Sequence, residues 1–499
     1  MQGNRRVGFF LGIALFLIIM VLPVPAGMNS AAWRVVAITA LMAVFWITEA
    51  IPMAATALIP VACYPILGIA DSPAVTASYG NTIIYLLMGG FFIAVTMERW
   101  NLHRRIAFNA IRLTGTTPAK MILGFAIATL CLSMWVSNTA TAIMMIPIGI
   151  AVISSLTGQT TDPDQQRKEA NFSKALMLMI AYASTIGGIT TLIATPANAI
   201  AAGMLQNAYG LNITFLQWMM VGTPLGIVMT GFVYLLLTRV LFNSGDLQLM
   251  GGADVIEEEY SRLGAITVPE KRVLVVAGLM VLGWVFRGFI NFDALGLGMI
   301  TDTQVSMAGT LLLFLTPAEK GETLLDWNTA VKIPWNICLL LGGGFAIATA
   351  FERTGLARWI SENLASIEGL TLFSVVLIST AVVCNLTEIA SNTAIATLFI
   401  PIMGATAIAL GIHPFATIIA ICFSSSMCFM MPVATPPNAI AYGSGYVSIR
   451  DMVITGMFMD VATIIMVVVA VLWWLPLVWG VDLGLTPASV LEFISSMPR

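Results

Sequence analysis

The sequence predicts an all-α, polytopic membrane protein built from two inverted repeats, each with a re-entrant hairpin and a broken helix. Of its 499 residues, 59% are hydrophobic and only 9% are charged, and the mean hydropathy is +0.93. Soluble domains carry about 25% charged residues. One set of short polar motifs occurs twice in register, and the basic residues around the two copies are distributed differently. Composition therefore indicates a membrane protein, and the repeats indicate its architecture.

The apolar runs are long enough to cross a bilayer, which requires about 20 helical residues. They recur along the chain, from residues 7–22 to residues 461–475. Arg5 and Arg6 precede the first run, but the signal for a small-residue cleavage site after it is weak and further runs follow. We therefore expect this segment to be retained as a membrane helix.

The strongest internal repeat is the tripeptide Ser137-Asn138-Thr139, which recurs as Ser391-Asn392-Thr393. The same separation relates Glu98-Arg99 to Glu352-Arg353. A second element, Thr-Pro-x-Asn, follows each tripeptide in an apolar segment. Repetition at a shared spacing indicates a duplicated structural unit.

These repeats predict three regions: a first membrane half at residues 1–242, a cytoplasmic linker at 243–272 and a second membrane half at 273–499. The hairpin tips are predicted at 137–139 and 391–393, and the broken helices at 194–198 and 434–438. The remaining sizeable polar stretch, residues 157–173, is predicted to be a loop.

Basic residues predict that the two halves have opposite orientations. Glu98 is followed by several basic residues, among them Arg99, Arg104 and Arg105. After Glu352, the basic residues are balanced in number by acidic ones. Cytoplasmic loops are enriched in Lys and Arg, so the first copy is expected to face the cytoplasm and the second the opposite side. The N-terminus would then be cytoplasmic and the C-terminus periplasmic or extracellular. Inverted repeats are typical of secondary transporters, whose sites lie where broken helices meet.

Each tripeptide lies between two apolar arms that are short for a full span, which favours a hairpin that enters the membrane and turns back. Pro196 and Pro436 lack a backbone N–H and disfavour helix at the preceding residue, so carbonyl groups are freed there. Hydroxyl and amide groups can bind a carboxylate, helix N-termini attract anions, and free carbonyls can bind a hard cation such as sodium.

The four polar elements contain no Lys or Arg. A bound dianion would therefore have to be balanced by helix dipoles and by bound cations, which is a physical reason for coupled transport. Ser, Asn and Thr also cap helices and join membrane helices, but the duplication in register favours a binding site. For Glu388 we prefer a structural hydrogen bond to a role as cation ligand or proton carrier.

Other classes of function lack their sequence signals. No GxxxxGK[ST] loop is present, so an ion gradient is the expected energy source. The cysteines form no CxxC pair and the chain has 2 histidines, so neither a zinc site nor an organic cofactor is expected. A membrane-embedded enzyme would need clustered acids, a metal or an activated nucleophile in the spans. A channel is also disfavoured, because inverted repeats with broken helices suit a transporter with alternating access better than a continuous pore. Nothing indicates nucleic-acid binding.

At these residues the sequence resembles the divalent-anion:sodium symporter family over nearly the whole chain. The similarity is carried by the Ser-Asn-Thr tripeptides, the Thr-Pro-x-Asn elements, the segment 97–105, Asp326-Trp327-Asn328 and Pro334-Trp335. The resemblance implies about eleven transmembrane helices and an elevator-type homodimer in the cell inner membrane, in contact with lipid. It implies sodium-coupled uptake of C4-dicarboxylates such as succinate, malate and fumarate.

The resemblance also implies individual ligands. One sodium ion would be bound by Ser133, Ser137, Asn138 and the backbone of Ala194, and another by Thr387, Ala390, Asn392 and the backbone of Ala434. The substrate carboxylates would be held between them by Asn138, Thr139, Asn392 and Thr393, with Thr195, Thr435 and Pro436 nearby.

This sequence departs from the family pattern in its first half, where Ala194 stands at a position that is commonly Gly and Ala197 replaces the second Pro of Pro-Pro-Asn. Ala194 can still offer its carbonyl where its φ angle is negative. Within the same family, a dicarboxylate or citrate exchanger and a sulfate symporter remain alternatives, because no residue decides between them.

Overall fold

A computed structural model describes residues 2–115, 117–155, 162–245, 247, 252–290, 300–319, 321–364 and 370–496. The described residues form helices and no named strand, with a single isolated bridge between Pro317 and Thr323.

The helices of the first half are α1 (Gln2–Val21), α2 (Ser30–Thr48), α3 (Met53–Thr56), α4 (Ile59–Ile66), α5 (Ser72–Ala77), α6 (Thr82–Arg99), α7 (Leu102–Thr114), α8 (Pro118–Ser133), α9 (Asn138–Ser154), α10 (Pro163–Gly187), α11 (Pro196–Tyr209) and α12 (Phe215–Leu235). A π-helical turn, Leu236–Leu241, continues α12.

The remaining helices are α13 (Gly252–Arg262), α14 (Val268–Phe286), α15 (Asp302–Leu315), α16 (Trp327–Ala330), α17 (Trp335–Arg353), α18 (Leu356–Leu364), α19 (Leu372–Thr387), α20 (Asn392–Ala409), α21 (Pro414–Ser426), α22 (Pro436–Gly443), α23 (Ile449–Val469), α24 (Leu475–Trp479) and α25 (Ala488–Ser496). A second π-helical turn, Ala470–Trp474, follows α23. Short 3-10 turns lie at Ser78–Gly80 and Arg287–Phe289.

The predicted multi-pass character is confirmed. Within the described residues, 7 helices are long and apolar enough to cross a membrane. The arms predicted around the tripeptides, α8, α9 and α19, are among the shorter apolar helices, whereas α20 reaches the length of a span. The predicted break between the arms of each hairpin is also present, since α8 ends at Ser133 and α9 begins at Asn138, and α19 ends at Thr387 and α20 begins at Asn392.

Two segments are more helical than the polar composition indicated. The stretch 157–173 was expected to be a loop, but α10 begins at Pro163, where Asp162 accepts an N–H bond at the helix N-terminus. Residues 157–161 lie outside the described part of the chain. In the predicted linker 243–272, α13 forms at Gly252–Arg262, and a Thr267–Glu270 capping box starts α14 at Val268. Capping groups satisfy the first N–H groups of a helix, so helices can begin in polar sequence.

Helices from the two halves of the chain pack directly against one another. Gly203 of α11 lies against the Phe345 ring of α17, so closely that a Cβ at Gly203 would come within 2.1 Å of the ring. Gly89 of α6 similarly faces Ser306 of α15, where a Cβ would come within 2.3 Å of the serine hydroxyl. Glycine has no side chain, so it allows membrane helices to approach one another this closely.

A buried ion pair fixes the linker to the first half. Arg105 of α7 lies 2.8 Å from Glu270, and its guanidinium also donates to the carbonyls of Leu263 and Gly264 at 3.2 and 3.0 Å. Arg105 and Glu270 are both buried. The end of the linker is therefore held against α7 by one side chain.

Arg105→Ala is expected to lower the free energy of unfolding by about 3–5 kcal/mol, because it leaves the Glu270 charge buried without its partner. The adjacent Arg104 is the matched control, since its 3.5 Å pair with Glu259 is partly exposed and such pairs contribute about 0–1 kcal/mol. Thermal unfolding of the two purified variants in detergent measures the difference. Equal unfolding temperatures for Arg104→Ala and Arg105→Ala would show that the buried pair has no special role.

Candidate functional site

The tip of the first hairpin is tied to the broken helix that follows it. The Ser133 hydroxyl lies 2.9 Å from the Asn138 side-chain oxygen and 2.6 Å from the Ser184 carbonyl oxygen. Ser184 in turn donates to the Asn138 carbonyl at 2.6 Å, and Thr191 donates to the Met134 carbonyl at 2.6 Å. These bonds place the oxygens of Ser133 and Asn138 beside the interrupted segment.

That segment, residues 188–195, separates α10 from α11. Asn198 stabilises it by donating to the carbonyls of Gly188 at 2.8 Å and Thr191 at 2.6 Å. Gly188 brings it close to the hairpin tip, because a Cβ there would lie 2.5 Å from Thr195 and 2.7 Å from the Asn138 amide. Thr195 and Asn138 are thus neighbours, and the buried Thr195 hydroxyl has no hydrogen-bond partner among the described residues.

The second tip is built in a different way, around Glu388. Its carboxylate accepts the backbone N–H groups of Phe429, Met430 and Met431 at 2.5 to 3.1 Å. These residues belong to the second interrupted segment, 427–435, between α21 and α22. Glu388 is buried, so one side chain satisfies backbone donors that the broken helix leaves free. The structural interpretation of Glu388 agrees with these bonds.

Cys428 links the groups predicted to surround the second sodium ion. Its thiol lies 3.2 Å from the Asn392 side-chain oxygen and 3.8 Å from the Ala434 carbonyl oxygen. Asn392 and Ala434 are therefore close to one another. Thr387 is buried at the end of α19 and donates to the Cys384 carbonyl at 2.9 Å.

The remaining predicted residues lie at the edge of these clusters. Ser137 is exposed and caps α9 by accepting the Ala140 N–H at 3.3 Å. Thr139, Thr393 and Ala390 are half-buried, and Pro436 is exposed at the start of α22. Ala194 and Thr435 are buried, and Thr435 caps α22 by accepting the Asn438 N–H at 3.3 Å. For Ser137, Ala390 and Pro436, the structure gives no hydrogen bond to the other predicted ligands.

The two clusters are joined by crosswise packing. Helix α9 of the first hairpin packs against α22, and α20 of the second hairpin packs against α11. The Tyr182 hydroxyl of α10 donates to the Phe429 carbonyl at 3.0 Å, and the Cys422 thiol of α21 lies 3.4 Å from the Asn198 side chain. Each broken helix is thus held by the other half of the chain.

Helices α9, α11, α20 and α22 all begin at these clusters, and each is preceded by a Ser or Thr residue: Ser137, Thr195, Ser391 and Thr435. Helix N-termini carry partial positive charge. Two such N-termini at each cluster favour the binding of an anion there, even in the absence of a Lys or Arg side chain.

A cavity of about 370 Å³ reaches the first hairpin from the corner between α6 and α7. Glu98, Asn101 and His103 line one side of it, and Val136 and Ala140 line the side formed by the hairpin. It therefore lies beside the first hairpin, against residues that flank its Ser-Asn-Thr tip.

Sequence reasoning missed several residues of this region. Ser184, Gly188 and Thr191 precede the first Thr-Pro-x-Asn element in a run of small and hydroxylated residues, and this run was the available signal. Cys428 and the backbone donors of residues 429–431 carry no such signal. No cluster of three or more His, Cys, Asp or Glu side chains suited to a metal ion occurs among the described residues.

Broken helices that pack across two halves of one chain inside a membrane bundle, each starting after a Ser or Thr residue, are typical of a membrane transport protein. Comparison with known proteins narrows this class. Residues 4–480 match the family model described as the sodium:sulfate symporter transmembrane region, and the chain belongs to this family.

Relatives in two staphylococci extend over nearly the full length. The chain is 40% identical over 482 residues to the sodium-dependent dicarboxylate transporter SdcS of Staphylococcus saprophyticus, covering 96% of this chain and 93% of that protein. It is 38% identical over 486 residues to the protein of the same name in Staphylococcus aureus, covering 97% and 94%.

Solved structures with a similar fold share little sequence with the chain. The YdaH transporter of Alcanivorax borkumensis has a TM-score of 0.58 at 11% identity, covering 96% of this chain and 98% of that chain. MtrF of Neisseria gonorrhoeae has a TM-score of 0.55 at 12% identity, covering 93% and 95%. At this identity the likeness concerns the fold, and it confirms the predicted fold class.

Proposed function

We propose that the protein is a sodium-coupled symporter that carries C4-dicarboxylates such as succinate, malate and fumarate into the cell. The observation that carries the proposal is the packing of each hairpin against the broken helix of the other half, with no Lys or Arg in the four polar elements. Helix N-termini and amide groups do not fully neutralise the charge of a dianion bound there. Bound sodium ions supply the missing positive charge. The names of the staphylococcal relatives support both the ion and the substrate class.

In this proposal, one sodium ion binds beside Ser133, Asn138 and the Ala194 carbonyl, with Ser137 at the edge. The other binds beside Thr387, Asn392 and the Ala434 carbonyl, with Ala390 at the edge. The hydrogen bond between Ser133 and Asn138 and the common contact of Asn392 and Ala434 with Cys428 support these groupings.

The substrate then lies between the two ions. Asn138, Thr139, Asn392 and Thr393 bind its carboxylates, and Thr195, Thr435 and Pro436 form the surrounding wall. The unpartnered hydroxyl of Thr195 supports this placement, because a buried hydroxyl without a partner is costly unless a ligand satisfies it.

We further propose that the protein is a homodimer in the cell inner membrane, surrounded by lipid, with a cytoplasmic N-terminus and a periplasmic or extracellular C-terminus. Each protomer moves its substrate by an elevator-type displacement of the region that holds both hairpin tips. The excess of basic residues after Glu98 supports the orientation. The interlocked hairpins and broken helices support displacement as one unit.

Uptake of labelled succinate into proteoliposomes tests the function. An inward sodium gradient should drive accumulation, and an equal potassium gradient should not. Uptake that requires only succinate inside the vesicles would identify an exchanger. Sodium-driven uptake of sulfate or citrate but not of succinate would replace the substrate class and retain the coupling.

The close approach at Gly188 gives a variant with a large expected effect. Gly188→Ala places a methyl group against Thr195 and Asn138, so we expect sodium-driven uptake to fall at least about tenfold, as a shift of about 1 Å in a site can cost more than this. Gly231→Ala in α12 is the matched control, because a Cβ there has no neighbour within 4 Å. Uptake rates at equal protein density provide the measurement, and equal rates for both variants would contradict the site geometry.

A further inference from the structure

Helix α23 carries a buried acidic side chain that no described residue neutralises. Asp460 is 5% exposed, and neither of its carboxyl oxygens receives a hydrogen bond from a donor among the described residues. Its neighbour is another acidic group, Glu388, which accepts the Met430 N–H, while Gly456, about one turn before Asp460, packs against Met430. Two acidic groups in contact inside a membrane protein are costly unless a positive charge compensates them. The pair therefore indicates a ligand.

The surroundings of the pair supply little positive charge. Glu388 accepts the N–H groups of residues 429–431. Asp460 has no comparable donors. Lys174 contacts α23 at Asp451, 2.9 Å away, but Asp451 precedes Asp460 by more than two helical turns. A cation between Glu388 and Asp460 would compensate the charge that the protein leaves uncompensated.

The available oxygens are more numerous than a single proton could satisfy. Thr463, about one turn beyond Asp460 on the same face of α23, also has a buried hydroxyl without a described partner. Gly456, about one turn before Asp460, lets the interrupted segment pack on α23, since a Cβ there would lie 2.4 Å from the Met430 Cα. A proton shared by the carboxyl groups would satisfy one oxygen of Asp460 and leave the other oxygen and Thr463 unpartnered. Hard metal cations take several oxygen ligands at once.

We propose that Asp460 and Glu388 form a further sodium site, behind the second interrupted segment and separate from the positions at the two hairpin tips. Asp460 contributes both carboxyl oxygens, Glu388 contributes negative charge, and the Thr463 hydroxyl is the third ligand. The choice of sodium among hard cations rests on the proposed function. An ion at this position ties α23 to the segment that carries Ala434, so its binding stabilises the second hairpin site.

Counting bound sodium tests this site without any transport. Purified full-length protein is equilibrated with radioactive sodium in potassium buffer, without dicarboxylate, and bound ions are counted per protomer. We expect Asp460→Asn to bind one ion fewer than the wild type. Asp451→Asn, which removes a carboxylate from the same helix, should bind the same number as the wild type.

Equal counts for Asp460→Asn and the wild type overturn the site. If the counts are equal and the pH dependence of uptake shifts, the pair holds a proton instead. Thr463→Val gives a second test if Asp460→Asn is not recovered folded, because it should weaken one class of bound sodium severalfold, and unchanged binding overturns the proposal. A wild type that binds sodium here but takes up no succinate refutes the proposed substrate and leaves this site standing.

Discussion

Asn138→Ala and Asn392→Ala are each expected to abolish sodium-driven succinate uptake, with a loss of at least about 100-fold, while the protein remains folded. Each asparagine lies at the start of a hairpin helix and faces the other groups of its proposed sodium site. Its side-chain oxygen is assigned to sodium and its amide to a substrate carboxylate, so alanine removes ligands of both. A hydrogen bond to a charged group contributes about 1.5–3 kcal/mol, and two such losses account for the expected effect.

Uptake into proteoliposomes and size-exclusion profiles in detergent provide the two measurements. Asn385→Ala is the matched control, because Asn385 is exposed on α19 and donates only to the Ala381 carbonyl within its own helix, at 2.8 Å. Its uptake should equal that of the wild type. Normal uptake by both Asn138→Ala and Asn392→Ala would refute the assignment of the site.

Glu388→Ala is expected to lower the free energy of unfolding by about 3 kcal/mol or more. It leaves the N–H groups of Phe429, Met430 and Met431 without their acceptor in a buried segment. Each buried donor left unpaired costs about 1–3 kcal/mol. Removing the Glu388 carboxylate also removes its repulsion with Asp460, which offsets part of this cost. The cost of three unpaired donors is larger than this gain.

Thermal unfolding in detergent measures this effect, with the protein in potassium buffer so that bound sodium does not contribute. Glu49→Ala is the control, because its 3.1 Å pair with Arg5 is exposed and such pairs contribute about 0–1 kcal/mol. If Glu388→Ala and Glu49→Ala unfold at the same temperature, the carboxylate does not support the interrupted segment.

Much of the fold could be predicted from the sequence because its signals are local. Apolar length predicts membrane helices, and a tripeptide repeated in register predicts matching turns at Ser137 and Ser391. Pro196 and Pro436 predict that the residue before each of them is not helical, and in the structure α11 and α22 begin at these prolines. The one error of this kind also has a local cause. Residues 163–173 are polar enough to resemble a loop, yet Asp162 caps the helix that starts there.

The contacts between distant segments could not be predicted in this way. The proximity of Glu388 to residues 429–431, of Cys428 to Asn392, and of Asp460 to Glu388 depends on how α19, α21 and α23 pack. The side chains of Met430 and Cys428 are apolar or weakly polar, so they do not mark a binding site in the sequence. Met430 acts through its backbone N–H, and Cys428 through its position beside Asn392. A single sequence contains no signal for such contacts.

The crosswise packing of the hairpins has a consequence for biogenesis. Helix α9 leaves the ribosome long before α22, its partner in the second half, has been made. At about 5–20 residues per second, the interval between them is on the order of tens of seconds. During this interval Ser133, Asn138 and the carbonyls of residues 188–195 reside in a nascent chain that lacks its second half. We therefore expect the insertion machinery to retain the first half until the second one emerges, and a chain truncated after residue 242 to be degraded rather than to accumulate in the membrane.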